Sequence, residues 1–541
     1  MDLFTLPVEL LIAIIAYLDP NDILAFCRIC RLAHDVYEGS ALLRYLVTLF
    51  ATGMEDVNVL RPLDNGDRLA YLLQREALWG NIDFSRERHV MIPVNHRHSH
   101  VHDLTAGVYI FGDLSLVPDS LRTSSLRYVY LPTCTHRQEL SRIDANPDWW
   151  TSAPIGVEAL TIGLSLEEND LLAVLTSVPS PESVIQFHEH RDEGNHCIAT
   201  IEIAGPYLLV LLAWLRSNAS DELYVYDWTK AFLISHVSSE NATYRGAAFL
   251  SSDTFILTNM RDNTIEFLSL VVPHAENERT RCRWVGKLAL PALRRGSSLV
   301  SISCRTDAVR DCVVGVSAAA RDSGSSLRSR SHRRAPVRCA PEKALVQFRM
   351  YLQGSREGHI SLFTFVAHRG ELLRIVNSSG FSTSTTEPTP LIAKPWDTWG
   401  PQATRWSDAN ETDTAWMAGN AGQRQVFITR DRPRHIRVRN YNAAAVRKVS
   451  MSTQRKVERR VKAVTGESIT AHQDCFLNDI RSALPFFEIS SEQTFDYDGV
   501  LMDEEHIIGL MEDEEDGYIR QLDVFIITPE KPQTCDCAHV K

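Results

Sequence analysis

Four histidines stand two residues apart in "HRHSHVHDL", at His96, His98, His100 and His102. Alternate residues of a strand share a face, so this spacing presents a row of imidazoles, side chains that bind zinc or copper. Same-face neighbours on one strand lie about 7 Å apart, too far for all four to reach one tetrahedral ion, and zinc sites draw their ligands from separated segments. We expect a histidine stripe on an edge strand and assign no metal.

Thiol chemistry has two candidate stretches. "CRIC" holds Cys27 and Cys30, on the apolar stripe of a predicted helix, and "CDCAH" holds Cys535, Cys537 and His539, in a segment expected to fray. Neither placement favours a reactive thiol. The chain contains no G-x-S-x-G elbow, P-loop, dinucleotide fingerprint or H-E-x-x-H motif. Acidic residues are plentiful, but spacing singles out no pair as acid and base. The chemistry therefore points away from an enzyme: no catalytic residue and no cofactor is nominated.

Aromatic recognition is the remaining candidate. "PWDTWGPQATRW" gathers Trp396, Trp399 and Trp406 around Gly400-Pro401. Indoles on an exposed face are good anchors for a protein partner, so these three are the candidate substrate-binding residues. The other reading is that they fill space between sheets.

What could position such residues follows from patterning. From "NIDFSRERHVMI" onward the chain reads as short β-type runs punctuated by turns: "GVYIF", "LRYVYLP", "VEALTIG", "LYVYDW", "TFILTN", "TIEFLSLVV". This is the signature of an all-β sandwich, barrel or propeller. The stretches "ELYVYDWTKAFLISHV" and "YRGAAFLSSDTFILTNMRDNTIEFLSLVV" look like propeller blades, with only a loose resemblance to WD-type repeats, since the order here is Asp227-Trp228. A seven- or eight-bladed propeller with long loops fits the length. "EHIIGLMEDEEDGYIRQLDVFII" is a hairpin turning at Glu512 to Gly517, and the last strand is expected to close the ring with N-terminal material. "PYLLVLLAWL" (206–215) is half the length of a bilayer-spanning helix and reads as a buried strand.

Composition shifts twice within this region. Arg321 to Arg338, "RDSGSSLRSRSHRRAPVR", has six arginines among serines and no apolar face, so a disordered insertion is expected near 320–340. Arg430 to Lys462 is basic and includes "TQRKVERRVKAV", which could be helical; strongly acidic sequence from Asp474 to Asp516 offers it internal partners. The formal net charge of −12 argues against a nucleic-acid-binding surface over the whole protein.

The N-terminal stretch "FTLPVELLIAIIAYLDPNDIL" is different. Asp2 precedes its apolar run and Glu9 interrupts it, unlike a signal peptide, and eleven scattered cysteines suit a reducing compartment, so a cytoplasmic or nuclear protein is expected. Leu6-Pro7 starts a first helix that ends near Leu18, and "DPND" starts a second, with Asp19 as cap and Pro20 at its first position. A third runs from Ser40 through Val47, and "DRLAYLLQREALWG" makes a connecting helix. On the first helix Leu10, Ile14 and Tyr17 form one apolar row, and Leu11, Ile15 and Leu18 form another. About 45 residues make too small a core to bury both rows, so one of them faces either the large β domain or a partner.

Leu6-Pro7, Glu9-Leu10, Ile14, Tyr17-Leu18, Pro20, Asp22-Ile23-Leu24 and Arg31 resemble an F-box, the three-helix motif of ubiquitin-ligase substrate receptors. The resemblance departs at "RLAHDVYEG", where a tryptophan is common and Tyr37 is the nearest aromatic. It implies an α+β multi-domain chain: an F-box at 1–48, a helical linker at 49–80, and a propeller-like substrate-recognition domain at 81–541. It also implies a Skp-type adaptor on Leu6, Pro7, Leu10, Ile14, Tyr17, Leu18, Pro20, Leu24 and Cys27, with cullin and RING subunits beyond and an unidentified protein substrate. The Trp-Gly-Pro stretch resembles a signature of large fungal F-box proteins. Two other functions fit the same residues: an adaptor-bound scaffold that directs no ubiquitination, and a propeller enzyme or binding module that happens to carry an F-box.

Overall fold

The computed structural model describes residues 5–529 apart from 58–62, 83, 85–87, 115–122, 134–148, 170, 177–196, 215–218, 272–279, 310–334, 356–359, 379–391, 409–411, 414–418, 454–459, 472–473 and 514–517. Helix α1 (Val8–Ile15) has no side-chain cap; the Pro7 carbonyl instead accepts from the Leu10 and Leu11 N–H groups, both at 3.1 Å. It stops before the expected Leu18 because the Tyr17 and Leu18 N–H groups turn to carbonyls three residues back. In α2 (Pro20–Phe26) the Asp19 carboxylate accepts from the Asn21 N–H at 3.2 Å and Pro20 holds the first position, as its sequence specifies.

The next helix corrects the sequence reading. "RLAHDVYEG" forms α3 (Arg31–Gly39), capped by the Cys30 sulfur, which accepts from the Ala33 N–H at 3.4 Å. The helix expected at Ser40 is thus the fourth, α4 (Ala41–Thr52), capped by Ser40 Oγ on the Leu43 N–H and ended by Gly53 at a φ of 66°. Leu11, Ile15, Ile23, Phe26, Ala33, Val36, Leu43 and Val47 form one small core inside α1 to α4.

Antiparallel sheets follow in chain order. Cys197–Ala204, Tyr207–Trp214, Asp221–Asp227 and Phe232–Ser239 make one four-stranded meander; Tyr244–Phe249, Thr254–Asn259, Thr264–Val271 and Arg281–Ala289 make the next. Ser298–Thr306, Leu345–Gln353, Ile360–His368 and Thr404–Asp408 make a third. The first strands of these three sheets lie side by side, and apolar clusters fill the space between neighbouring sheets. That is how propeller blades pack.

A five-stranded sheet precedes them, and its long strand Thr151–Ser165 changes partners midway. Its first half pairs with Thr123–Tyr130, its second with Leu171–Thr176, and it packs against Cys197–Ala204. It therefore links the two ends of one five-stranded sheet. A sheet around Arg424–Thr429, Ile436–Asn440, Phe486–Ser490 and Val461–Val464 comes next to last. In the last sheet Gly499–Met502, His506–Glu512 and Ile519–Ile526 are completed by His89–Pro93, paired from His89 opposite Phe525 to Pro93 opposite Gln521. The N-terminal strand closes the ring, as expected. Among the described residues, six sheets of four to six strands make up this propeller-like succession.

Helix α5 (Asn65–Gly80) ties the helical part to this ring. Leu69, Tyr71, Leu72, Arg75 and Trp79 form its buried face. Arg75, 2% exposed, lies 3.0 Å from Glu76 and 3.5 Å from Glu504; Glu76 in turn takes Arg424, whose guanidinium sits over the Trp79 ring. Burial works against charge on Glu76, but Arg424 and Arg75 hold its carboxyl below the usual range.

Two composition shifts resolve differently from expectation. Residues 310–334, most of the Arg/Ser-rich insertion, lie outside the described residues, but Val337–Cys339 is a strand paired with Met54–Asp56, so the insertion ends earlier than its composition suggests. In the basic region Ala443–Thr453 is a helix, while Val461–Val464, expected as part of a helical run, is a strand against Phe486–Ser490. Arg437 and Arg439 share Glu488, and Arg460 pairs with Glu492, so the neighbouring acidic sequence does supply partners.

Candidate functional site

Helix α1 presents its apolar residues in two directions. Leu11 and Ile15 are 2% exposed and anchor the small core, while Ile12 and Ala16 flank them. On the opposite side Leu10 is 52% exposed, Ile14 48%, Tyr17 93% and Leu18 41%, with Val8 beside them. Leu18 thus leaves the row that its sequence spacing assigned to it, because the turn after Ile15 swings it outward. Among the described residues no part of the ring covers this face, which runs against the alternative that the surplus row packs on the β domain.

The nine residues nominated from sequence separate into two groups. Pro7, Leu10, Ile14, Tyr17 and Leu18 are exposed, whereas Leu6, Pro20, Leu24 and Cys27 are half-buried. Leu6 and Leu24 pack on the small core, and the Cys27 thiol donates to the Leu24 carbonyl at 3.1 Å. Sequence reasoning missed Ile29 and Leu32, 67% and 48% exposed, which continue the apolar surface beyond α2. The signal was their three-residue spacing in "CRICRLA", hidden because α3 was not read as a helix. Tyr37, the aromatic nearest the end of the motif, packs against the core; burial first, then Glu38, raise its phenol above the usual value.

Charge around the face is acidic. Glu9 lies in the first turn of α1, and Asp19 and Asp22 start α2, so carboxylates border the exposed row before the first arginine at Arg28. Such a surface can take an apolar partner helix with basic flanks; it holds no grouping for bond-making chemistry.

The F-box domain family matches residues 3–36. The chain carries an F-box. Its match ends inside α3, which the sequence had left unread. Among solved structures, the chain is similar to the C-terminal WD40 domain of Sif2 (8% identity, 81% of this chain and 99% of that one, TM-score 0.26). It is also similar to the WD40 domain of SCAP from fission yeast (7% identity, 83% and 100% covered, TM-score 0.31) and to Kluyveromyces lactis Hsv2 (7% identity, 48% and 59% covered, TM-score 0.18). The succession of sheets described above, rather than these overlaps, identifies the large unit as propeller-like. No curated protein sequence matches the chain.

Outside the F-box, the tryptophans nominated for substrate binding are interior. Trp396, Trp399 and Trp406 are 8%, 2% and 4% exposed and pack on one another, on Phe363, Phe365 and Phe476, and between sheets. Trp399 also donates its indole N–H to the Ala289 carbonyl at 2.9 Å. They serve as inter-sheet packing and offer no anchoring face, because Trp396 and Trp399 lie on the buried side of the helix Trp396–Ala403.

The histidine stripe is also broken. A register shift between His98 and His102 interrupts the strand alternation. His96 stacks on Phe111 and meets Trp150 edge-on; burial, then Arg127, depress its pKa to about 4, leaving a neutral ring. His98 Nε2 accepts from the Ile519 N–H at 2.8 Å. Among the described residues no three His, Cys, Asp or Glu side chains group as metal ligands. "CDCAH" lies outside the described residues.

Proposed function

We propose that the protein is the substrate-recognition subunit of an SCF-type ubiquitin ligase. The F-box binds a Skp-type adaptor, which joins cullin and RING subunits, and the β-rich domain presents a target protein. The observation that carries this is the uncovered row Leu10, Ile14, Tyr17 and Leu18 on a helix whose other row already fills a core. Burying each such side chain contributes about 1.5–3 kcal/mol, enough in sum to support association after its entropic cost. We take 1–48 as the docking unit, 49–80 as the connection and 81–541 as the recognition domain.

The chain performs no bond-making step in this scheme. Its contribution is proximity, holding a target lysine near a ubiquitin-charged enzyme and so raising effective concentration. Such an assembly works in the cytoplasm or nucleus; no described helix is long and apolar enough to cross a membrane.

The test is affinity purification of the full-length protein beside a Leu10→Glu, Ile14→Glu double variant, with mass spectrometry of what co-elutes. Adaptor and cullin are expected with the wild type alone. Recovery of both from the double variant at wild-type yield would sink the docking assignment. Candidate targets that accumulate when the F-box face is disabled separate a ligase subunit from a scaffold.

A further inference from the structure

The tight turn Asp503-Glu504-Glu505-His506 joins the Gly499–Met502 and His506–Glu512 strands of the last sheet and reaches out of that sheet in three directions. Toward the first sheet, the Asp503 carboxylate accepts from the Gly107 N–H at 3.1 Å, and His506 Nε2 lies 3.0 Å from the Pro132 carbonyl oxygen. Toward α5, the Glu504 carbonyl accepts from Arg75 at 3.3 Å and its carboxylate stands 3.5 Å from the same guanidinium. Toward the Val337–Cys339 strand, the Glu504 carboxylate accepts from the Cys339 N–H at 3.2 Å.

His506 is 1% exposed, and its Nδ1 lies 2.9 and 3.1 Å from the two Asp503 oxygens. Both nitrogens of this ring therefore face oxygens that only accept: an ionised carboxylate and a backbone carbonyl. A neutral imidazole has one N–H and can satisfy one of them; the imidazolium satisfies both. Asp503 is fixed as the counter-charge by the Gly107 N–H and by the Glu505 and His506 N–H groups, each of the last two at 2.7 Å.

We infer that residues 503–506 are a charge-locked joint: the His506 imidazolium closes the ring between its last and first sheets, and Glu504 of the same turn fixes α5 to that closure. The orientation of the F-box on the ring is thereby set at the point where the ring is sealed. This goes beyond the ligase reading and does not depend on it.

The charged groups facing the joint are Asp503, Glu504 and Glu505 from the turn itself and Arg75 from α5, with Glu76 and Arg424 behind it; Asp307, Arg338 and Arg369 line the small cavity beside Glu504, and the contacts from the first sheet are backbone groups. Burial opposes charge on His506, but the Asp503 carboxylate and then Glu505 outweigh it and raise its pKa to about 9. Burial likewise opposes charge on Asp503, yet His506 holds its carboxyl below the usual range. A histidine raised this far above its ordinary value stabilises the fold fully below about pH 6.5, and that contribution is lost as pH rises through about 9. The joint is locked across neutral pH and opens in alkali.

The experiment uses the full-length chain. With nitrogen-15 histidine labelling at pH 7.5, one imidazole should show both ring nitrogens protonated, titrate with a midpoint near pH 9, and be missing from His506→Gln. Hydrogen exchange should rise about tenfold or more in His506→Gln at the turn, around Gly107 and Leu131, and in α5. Glu504→Ala should loosen α5 while leaving the His506 resonance in place. A neutral His506 ring at pH 7.5 overturns the joint. So does unchanged α5 exchange in Glu504→Ala, a readout that stands even where His506→Gln fails to fold.

Discussion

Trp399 shows how one residue type can point to two functions and geometry to one. Its ring is almost wholly buried among Trp396 and neighbouring core residues, and its indole N–H is spent on the Ala289 carbonyl. Trp399→Ala should therefore cost about 3–5 kcal/mol through lost contacts, an empty volume and an orphaned acceptor. The measurement is a melting curve: the midpoint should fall by several degrees while adaptor co-purification below that midpoint is kept. A variant that melts like the wild type but loses a bound protein would mean that the ring faces a partner after all. Sequence could show a cluster of indoles, but not which way they point. Gly400 decides it, because a Cβ there would meet the Trp396 ring at 2.3 Å, so the glycine exists to let that ring lie flat against the helix.

At the scale of elements, legibility tracked the strength of local signals. Asp19-Pro20 and Ser40 announced two helix starts by side-chain chemistry alone, and Ser-Ser-Asp and Arg-Asp-Asn announced the turns of the Tyr244–Val271 meander. α3 escaped because its cap is a cysteine sulfur rather than a Ser, Thr, Asp or Asn side chain and because it is only nine residues long, although Leu32, Ala33, Val36 and Tyr37 do keep helical spacing. The division of α1 into a buried and an open row was legible as a surplus, but the outward turn of Leu18 was not, since it depends on where the helix stops. The joint at 503–506 was invisible for a related reason: its partners at Gly107, Pro132 and Arg75 are hundreds of residues away. Caps can be tested directly. Ser40→Ala removes the acceptor for the Leu43 N–H and should destabilise α4 by about 1 kcal/mol, seen as faster hydrogen exchange across its first turn. An unchanged rate there would mean that packing of Leu43 and Val47 alone sets the helix start.

At the scale of the whole molecule, the joint that matters is how the last sheet is completed. That sheet borrows His89–Pro93 from the beginning, so the ring is sealed by residues more than 400 positions apart, and the seal lies next to the helices that carry the F-box. Sealing this way leaves no unpaired last strand to template aggregation, and it makes the early segment indispensable to the late one. Ile92 is the test residue because it is fully buried in the cluster that joins the last sheet to the first, against Leu501, Ile508 and Leu522 among others. Ile92→Asp places a carboxylate there with no partner and should cost more than about 4 kcal/mol. Because the strand is a closure rather than a blade interior, the loss should spread along the seam. Hydrogen exchange should accelerate together at 89–93 and across the His506–Glu512 and Ile519–Ile526 strands, ahead of the Thr254–Asn259 sheet on the far side of the sequence. Uniform acceleration in every sheet would instead mean that the ring unfolds as one cooperative body, with the seam no weaker than any other junction.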